Sequence, residues 1–437
     1  MAGCGLEKPP YCVRGPYASP DFVSRMTDKE FAQLPVGDSY PQLEALLVRL
    51  AAGETVQIAT LGGSFTDGTD CEQALSNGKR VQEQPCSWVA RFLYWLGETF
   101  PKAKVTVQSW NRGGTASCPH LVMLPLVLRN FLRSSVLDLI ILDTLVNGNF
   151  EAYQDSYCYE EIIRTLHEIT PNTTVFSLLA GPAWHLQETQ ERRENLHAEE
   201  AIVNHYGVPV VNLAELVIAN PNLWRVPGDN ALVHPDWETH QLTADLVSSF
   251  FGRVWAATCT RQSQAVLTAT WPKKTYYPEE TLAMYAACTK PVSSYSAFDA
   301  TGWNGNKSDA APTVLAGTWT RYEDRPHKPG WISTEPKSRI NFKVSFGKKP
   351  HLLIVYLMSY EGLGNAFLDV LLPEAYRGHM VHKAELRGLW DQKVSQAAIY
   401  RVLEGFQPLF FLPPNGTADV TFELRGPKFK ILGVYSC

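Results

Sequence analysis

The chain has 437 residues, of which 45% are hydrophobic and 19% are charged, and its formal net charge is −5. This length exceeds that of an average domain with a single hydrophobic core, so two domains are expected. Residues 1–288 carry a net charge of −10 and residues 289–437 a net charge of +5. Neither part is basic enough to indicate a nucleic-acid surface, and no apolar run of 18 residues predicts a transmembrane helix.

The amino terminus and the cysteines give conflicting indications of the cellular compartment. The first residues, MAGCGLEKPPYC, lack the apolar segment of a signal peptide. Nine cysteines and the glycosylation sequons at Asn172, Asn306 and Asn415 are nevertheless typical of the secretory pathway or the extracellular space. The cysteines form no C-x-x-C pair and show little histidine clustering, so neither a metal nor another cofactor is expected.

Residues 1–40 are rich in Pro, Gly and Asp and predict an irregular arm. After the arm, segments with apolar residues at helical spacing alternate with short apolar segments typical of strands. Strands that alternate with helices pair in parallel through right-handed crossovers. Residues 41–257 therefore predict a three-layer α/β domain with a flavodoxin-like parallel sheet. Helices are predicted at 40–52, 87–100, 119–131, 157–169, 188–206 and 235–255, and strands at 56–61, 104–110, 136–146, 174–179 and 208–213.

The pattern changes near residue 258. Residues 258–300 predict a linker with one short helix at about 278–287. Residues 301–437 contain short alternating segments bounded by Pro and Gly turns, which predict a β-sandwich domain. Its strands are predicted at 339–344, 352–358, 367–371, 398–403, 418–424 and 429–435.

The first predicted strand leads into Gly62-Gly63-Ser64. The glycines let the backbone turn sharply at the carboxyl end of the strand, where ligands bind in open α/β sheets. Ser64 is therefore a candidate nucleophile, and its backbone N–H is a candidate oxyanion donor. Taken alone, the tripeptide is more often an ordinary glycine turn with a capping serine.

Cys71 and Cys86 flank a polar insertion that follows the serine. A disulfide between them would staple the insertion beside Ser64. Sequence proximity does not establish the required geometry, so two free thiols remain the alternative.

Three further segments place polar groups after later strands or at a helix start. The second strand leads into Asn111-Arg112-Gly113-Gly114, the third leads into Val146-Asn147-Gly148, and the fifth is followed by a loop to His234-Pro235. A hydroxyl, a glycine N–H, an amide and an imidazole on one sheet edge are the groups that acyl transfer requires.

These four blocks resemble the SGNH (GDSL-type) hydrolase superfamily in content and order, over roughly residues 40–255. LGGSFTDG resembles the first block, with Gly63 in place of the usual Asp, and NRGGTAS resembles the glycine block. VNGN resembles the asparagine block, with Gly148 in place of the usual Asp, and VHPDWETHQLTADL resembles the last block. The resemblance implies that Ser64 is the nucleophile and His234 the base. It also implies oxyanion donors at Ser64, Asn147 and Gly114, which we prefer to Gly113.

The triad acid departs from the family pattern. Family members usually carry Asp three residues before the histidine, where this chain has Ala231. Asp229 is the predicted acid, with Asp236 as the alternative. A base needs such a partner to fix its tautomer.

Several of these residues also have purely structural interpretations. Asn147 can simply turn the chain after a strand, and His234 can simply start a helix. His240 is a rival base, but a histidine at this position is more often a packed or solvated helix residue. Aromatic residues that could stack on sugars are more often part of the core; they are Trp88, Phe92 and Trp95 in the first domain and Trp303, Trp319, Trp331 and Tyr360 in the second.

The sequence therefore predicts a serine esterase that acts through an acyl-serine intermediate on an O-acylated, in particular O-acetylated, carbohydrate or a small ester. One alternative is an acyltransferase in which a glycan hydroxyl replaces water. Another is a catalytically silent glycan-binding protein, which the departures at Gly148 and Ala231 suggest.

Overall fold

The computed structural model describes residues 14–19, 26–27, 30–31, 39–134, 137–148, 153–187, 189–226, 234–260, 271–283, 291–297, 311–324, 329–376, 382–391, 394–402 and 412–437. They belong to two compact units, one of residues 1–117 and 130–285 and one of residues 118–129 and 286–437. The division after residue 285 falls inside the predicted linker. Residues 118–129, which the sequence placed in the first domain, group with the second unit.

The first unit contains a parallel sheet of five strands, ordered β4-β1-β5-β6-β7. An antiparallel hairpin, β2 and β3, follows β1. The strand order is that of the flavodoxin-like folds, so the predicted α/β class is confirmed. The strands are β1 (Thr55–Gly62), β2 (Glu72–Ala74), β3 (Arg80–Gln82), β4 (Lys104–Ser109), β5 (Leu139–Asp143), β6 (Thr174–Leu179) and β7 (Val210–Asn212).

Helices alternate with these strands. Every residue of β5 and β6 is buried, as expected for central parallel strands with both faces covered. The helices are α1 (Pro41–Ala51), α2 (Ser64–Asp67), α3 (Trp88–Thr99), α4 (Ser117–Ser134), α5 (Tyr153–Ile169), α6 (Ala183–Gln187), α7 (Gln190–Tyr206), α8 (Leu213–Ala219), α9 (Trp237–Thr260) and α10 (Glu279–Ala283). Among the described helices, none is both long enough and apolar enough to cross a lipid bilayer.

Aromatic residues form much of the first unit's core. The Phe92 ring lies 5.0 Å from that of Phe251 and 5.9 Å from that of Trp95. Trp88, Phe92 and Trp95 are all at most 2% exposed. These side chains of α3 are therefore core residues rather than a sugar-binding platform.

A buried arginine connects the elements around the amino end of α3. Arg91 donates to the side-chain oxygens of Gln241 and Gln73, both at 2.7 Å, and to the backbone carbonyl of Cys86 at 2.9 Å. Burial lowers the pKa of Arg91 to about 10. In the amino-terminal arm, Arg14 forms an ion pair of 2.7 Å with Asp245 of α9.

The second unit is a β-sandwich, as predicted. One sheet has the order β10-β11-β18-β13-β16 with β8 also paired to β18, and the other has the order β15-β14-β17-β12-β9. Their strands are β8 (Ser293–Ser296), β9 (Thr313–Ala316), β10 (Thr320–Glu323), β11 (Pro329–Ser333), β12 (Arg339–Ser345), β13 (Leu352–Met358), β14 (Asn365–Leu371), β15 (His382–Arg387), β16 (Gln396–Val402), β17 (Thr417–Arg425) and β18 (Phe429–Ser436).

The sequence pattern did not predict five strands of the sandwich, β8 to β11 and β15. All residues of β9 and β10 are exposed, so these strands lack the alternating apolar pattern on which prediction depends. Of the aromatic residues considered for sugar stacking, Trp319 and Trp331 are buried, Tyr360 is 42% exposed, and Trp303 lies outside the described residues.

Candidate active site

Ser64 lies where the sequence predicted, directly after a central strand. It is the first residue of the short helix α2, and Gly63 separates it from β1. Ser64 is only 6% exposed. The backbone N–H of Gly63 donates to the carbonyl of Asp143 at 3.2 Å, which fixes the turn against the end of β5. The nucleophile candidate is thus held in place by the neighbouring strand.

Asn147 lies against this turn. It ends a short 3-10 turn that follows β5. A Cβ atom at position 63 would lie 1.7 Å from Asn147 Nδ2, so either the amide or the turn would have to shift. The contact places the amide N–H₂ of Asn147 beside the turn that leads to Ser64.

A buried carboxyl group contacts helix α2, which begins at Ser64. The hydroxyl of Thr66 in α2 donates to Asp143 Oδ2 at 2.5 Å. Asp143 is fully buried, and this desolvation raises the pKa of its carboxyl to about 7. The sequence analysis did not single out Asp143, since an acidic residue within an apolar strand carries no motif.

Gly114 follows the strand on the other side of β1. After β4, the backbone N–H groups of Trp110 and Arg112 donate to the carbonyls of Thr60 at 2.9 Å and Gly62 at 2.8 Å. The segment therefore runs beside β1 as far as the residues that precede Ser64. Gly114 has a φ of +68°, a conformation that favours glycine.

His234 contacts a carboxylate that the sequence analysis did not consider. Its Nδ1 lies 2.6 Å from Oδ2 of Asp70, six residues after Ser64. The hydrogen bond from His234 lowers the pKa of the Asp70 carboxyl, so the acceptor is an ionised carboxylate. This pairing assigns the Nδ1–H tautomer and leaves Nε2 as the proton acceptor.

The two acids named from the sequence have different outcomes. Asp229 and Ala231 lie outside the described residues. Asp236 caps α9, because its Oδ1 accepts hydrogen bonds from the backbone N–H of Thr239 at 3.0 Å and from its hydroxyl at 3.2 Å. The carboxylate of Asp236 thus has a structural role at the helix start.

The rival base His240 is a packed core residue. It is fully buried, its ring stacks on Phe65 at 4.8 Å, and its Nδ1 accepts a hydrogen bond of 3.2 Å from the backbone N–H of Trp88. Burial lowers the pKa of His240 well below its ordinary value. A histidine held neutral in the core in this way is poorly placed to exchange protons with a substrate.

The insertion beside the serine is stapled by a disulfide. Cys71 and Cys86 are bonded, with 5.6 Å between their Cα atoms. Cys118, Cys158 and Cys437 are disulfide-bonded as well. The sequence is compatible with either a Cys71–Cys86 disulfide or two free thiols, and the structure contains the disulfide.

No protein-family model and no curated protein sequence matches this chain. Among solved structures, a two-domain esterase active on acetylated mannans aligns with a TM-score of 0.63 at 18% identity, over 93% of this chain and 98% of that chain. A structure of a two-domain esterase active on acetylated mannans, co-crystallised with mannopentaose, aligns with a TM-score of 0.60 at 17% identity, over 90% and 94% of the two chains. The chain therefore has the fold of this two-domain esterase. At this identity the likeness concerns the fold, so an activity has to be argued from the residues of the site.

Proposed function

We propose that the protein is a serine ester hydrolase that removes O-acyl groups, acetyl above all, from a carbohydrate. The observation that carries the proposal is the arrangement at one edge of the sheet. Ser64 begins the helix that follows the central strand β1, the Asn147 amide lies against Gly63, and His234 is hydrogen-bonded to the loop that follows the Ser64 helix. A nucleophile, an oxyanion donor and a base are the parts of acyl transfer.

In the first step, Ser64 Oγ attacks the ester carbonyl carbon and its proton passes to Nε2 of His234. The carbonyl oxygen becomes an oxyanion. The proposed donors to it are the backbone N–H groups of Ser64 and Gly114 and the side-chain amide of Asn147. Collapse of the tetrahedral intermediate breaks the ester bond, and the departing alcohol takes the proton from His234.

In the second step, water attacks the acyl-serine while His234 Nε2 takes its proton. The second tetrahedral intermediate collapses, Ser64 Oγ leaves and regains the proton from His234, and the carboxylic acid is released. Because water is the acceptor, this cycle is hydrolysis. A glycan hydroxyl in place of water would give the acyltransferase alternative with the same residues.

A carbohydrate alcohol is supported by an exposed aromatic residue on the same sheet edge. Trp184 is 50% exposed at the start of α6, directly after the carboxyl end of β6. Strands are about 4.8 Å apart, so the end of β6 lies about 10 Å from the end of β1. Leu186 of α6 packs in one cluster with Leu145 of the Asn147 turn. The solved two-domain esterase that shares the fold acts on acetylated mannans.

A secretory or extracellular location is part of the proposal. The disulfides support it, since such bonds form and persist in oxidising compartments. Asn172 and Asn415, in two of the three sequons, are exposed and therefore accessible to glycosylation.

The carboxylate bonded to His234 supports hydrolysis over the silent glycan-binding alternative. A binding protein has no need of an imidazole whose tautomer is fixed by an acid. The replacement of the family aspartate by Gly148 also has a local reason, because a Cβ there would lie 2.8 Å from the carbonyl of Leu145.

The test is Ser64→Ala, assayed for acetate release from an acetylated mannan oligosaccharide and for p-nitrophenyl acetate turnover. We expect kcat to fall by at least about a thousandfold with an almost unchanged melting temperature. Labelling by a fluorophosphonate probe should be lost as well.

Ser109→Ala is the matched control, because Ser109 is an exposed serine at the end of the adjacent strand β4. It should keep both turnover and labelling. Turnover that survives in Ser64→Ala, or folded wild-type protein that neither labels nor releases acetate, would contradict the proposal.

A further inference from the structure

The loop that carries Asp70 is folded back onto the nucleophile helix. Gly68 takes a left-handed conformation with φ +78°, the backbone N–H of Thr69 donates to the carbonyl of Ser64 at 2.9 Å, and that of Cys71 donates to the carbonyl of Gly68 at 3.0 Å. These bonds leave Asp70 little freedom relative to Ser64. A carboxylate at this position moves together with the nucleophile.

Asp70 itself adopts a conformation that costs free energy. Its φ is +63°, in the left-handed region that non-glycine residues rarely occupy, although Asp tolerates it better than most. Such conformations persist where the surroundings impose them, and they concentrate at functional sites. Here the conformation directs the carboxylate to Nδ1 of His234, 2.6 Å away.

The residues after Asp70 are fixed as well. Cys71 is bonded to Cys86, and its carbonyl accepts a hydrogen bond of 2.9 Å from the backbone N–H of Glu83. Cys86 in turn precedes Ser87, whose side chain caps α3. The disulfide therefore ties the Asp70 loop to the start of a core helix.

We propose that Asp70 is the acid of the site, the positioning residue that holds His234 in its catalytic tautomer. It would perform from the nucleophile loop the task that family members usually give to an aspartate three residues before the histidine, where this chain has Ala231. The inference rests on the proposed function and adds the identity of the third residue.

Stability alone is a poor explanation of the contact. The side chains of His234 and Asp70 are 26% and 60% exposed, and a solvent-exposed contact with a carboxylate contributes little to stability. That gain barely offsets a positive φ at a non-glycine residue. A catalytic role, in contrast, needs only the correct orientation of the imidazole.

Asp229 is the competing acid, and the two assignments exclude each other as the orienting group. Nδ1 of an imidazole carries one hydrogen, so one carboxylate holds the catalytic tautomer at a time. The experiment therefore compares Asp70→Asn with Asp229→Asn. Asp67→Asn is the matched control, because Asp67 is a carboxylate at the end of α2, three residues before Asp70, and accepts a hydrogen bond from Gln84 at 2.8 Å.

The first readout is p-nitrophenyl acetate turnover. We expect Asp70→Asn to lower kcat by about 10- to 1000-fold with little change in KM or melting temperature, a smaller loss than for a buried triad acid because this one is exposed. Asp70→Glu should recover part of the activity, and Asp67→Asn should match the wild type.

The second readout does not depend on turnover. An imidazole Nδ1–H bonded to a carboxylate gives a strongly deshielded proton resonance, which histidine-specific ¹⁵N labelling assigns through its loss in His234→Ala. Asp70→Asn should remove this resonance, and Asp67→Asn should retain it.

The outcomes separate this inference from the proposed function. Wild-type kcat and an intact resonance in Asp70→Asn would overturn the role of Asp70, and so would losses confined to Asp229→Asn. In either case a dead Ser64→Ala variant would leave the hydrolase proposal standing. Full activity in Ser64→Ala would instead remove the function on which the inference depends.

Discussion

The two sides of the candidate site are constructed differently. On one side, Ser64 is 6% exposed and Asp143 is fully buried, and both are held by packing and by the strands β1 and β5. On the other side, the His234 and Asp70 side chains are 26% and 60% exposed, and a hydrogen-bonded loop with a disulfide holds Asp70. Substitutions that disturb the packing of the buried side should therefore change stability and activity together, whereas substitutions on the exposed side should change activity alone.

The largest combined effect is expected for Gly63→Ala. A Cβ at position 63 would lie 1.7 Å from Asn147 Nδ2, so either the amide or the Ser64 turn has to move. Loss of one oxyanion donor costs about 100- to 1000-fold in kcat, and we expect a loss of that order together with a lower melting temperature. Steady-state kinetics and thermal unfolding measure the two effects.

Gly97→Ala is the control for this variant. Gly97 lies in α3, and a Cβ there meets nothing within 4 Å. Since alanine is the better helix former, this change should stabilise the protein slightly and leave kcat unaltered. Wild-type kcat in Gly63→Ala would show that Asn147 has no part in the reaction.

The difference between the two sides also explains what the sequence could reveal about the site. The buried side was predictable because β1 and β5 are apolar strands that run directly into Ser64 and Asn147, so position along the chain translates into position on the sheet. The sandwich strands β12 to β14 were predictable for the same reason, since their buried residues alternate or run continuously.

The exposed side was not predictable in this way. The contact between Asp70 and His234 spans 164 positions of sequence and depends on a left-handed residue and a disulfide. Neither leaves a periodic pattern. The one available signal was an aspartate directly before a cysteine that closes a loop beside the serine, and the Cys71–Cys86 bridge itself could not be decided from spacing.

A second test of the buried side concerns the pH dependence of stability. Burial raises the pKa of Asp143 from 3.8 to about 7, so the folded protein keeps a proton that the unfolded chain has already released. The stability contributed by the neutral carboxyl is fully present below pH 4 and is lost as the pH rises through 7. At neutral pH this loss can reach up to about 4 kcal/mol.

Asp143→Asn removes the titration and keeps an acceptor for Thr66. The melting temperature of this variant relative to the wild type should therefore increase between pH 4 and pH 8. Asp245, whose pKa is raised to about 6 by burial, contributes in the same direction in both proteins and cancels in the difference. A difference in melting temperature that does not change with pH would show that Asp143 is ionised throughout.

The smallest effect is expected furthest from the reacting atoms, at Trp184. Its indole is half exposed, so its removal should leave the fold, Ser64 and His234 unchanged. If a sugar ring stacks there, Trp184→Ala should raise KM for an acetylated mannan oligosaccharide by about fivefold to tenfold, which corresponds to about 1 kcal/mol of lost contact. Turnover of p-nitrophenyl acetate, which has no sugar, should stay at the wild-type level.

Tyr322→Ala is the matched control, because Tyr322 is an aromatic residue on β10 of the second unit and is 61% exposed. An equal rise in KM for both variants, or no rise for Trp184→Ala, would show that Trp184 does not contact the substrate. Either result would leave the proposed chemistry of Ser64 and His234 untouched, because an aromatic residue that binds only the alcohol part of the substrate does not take part in acyl transfer.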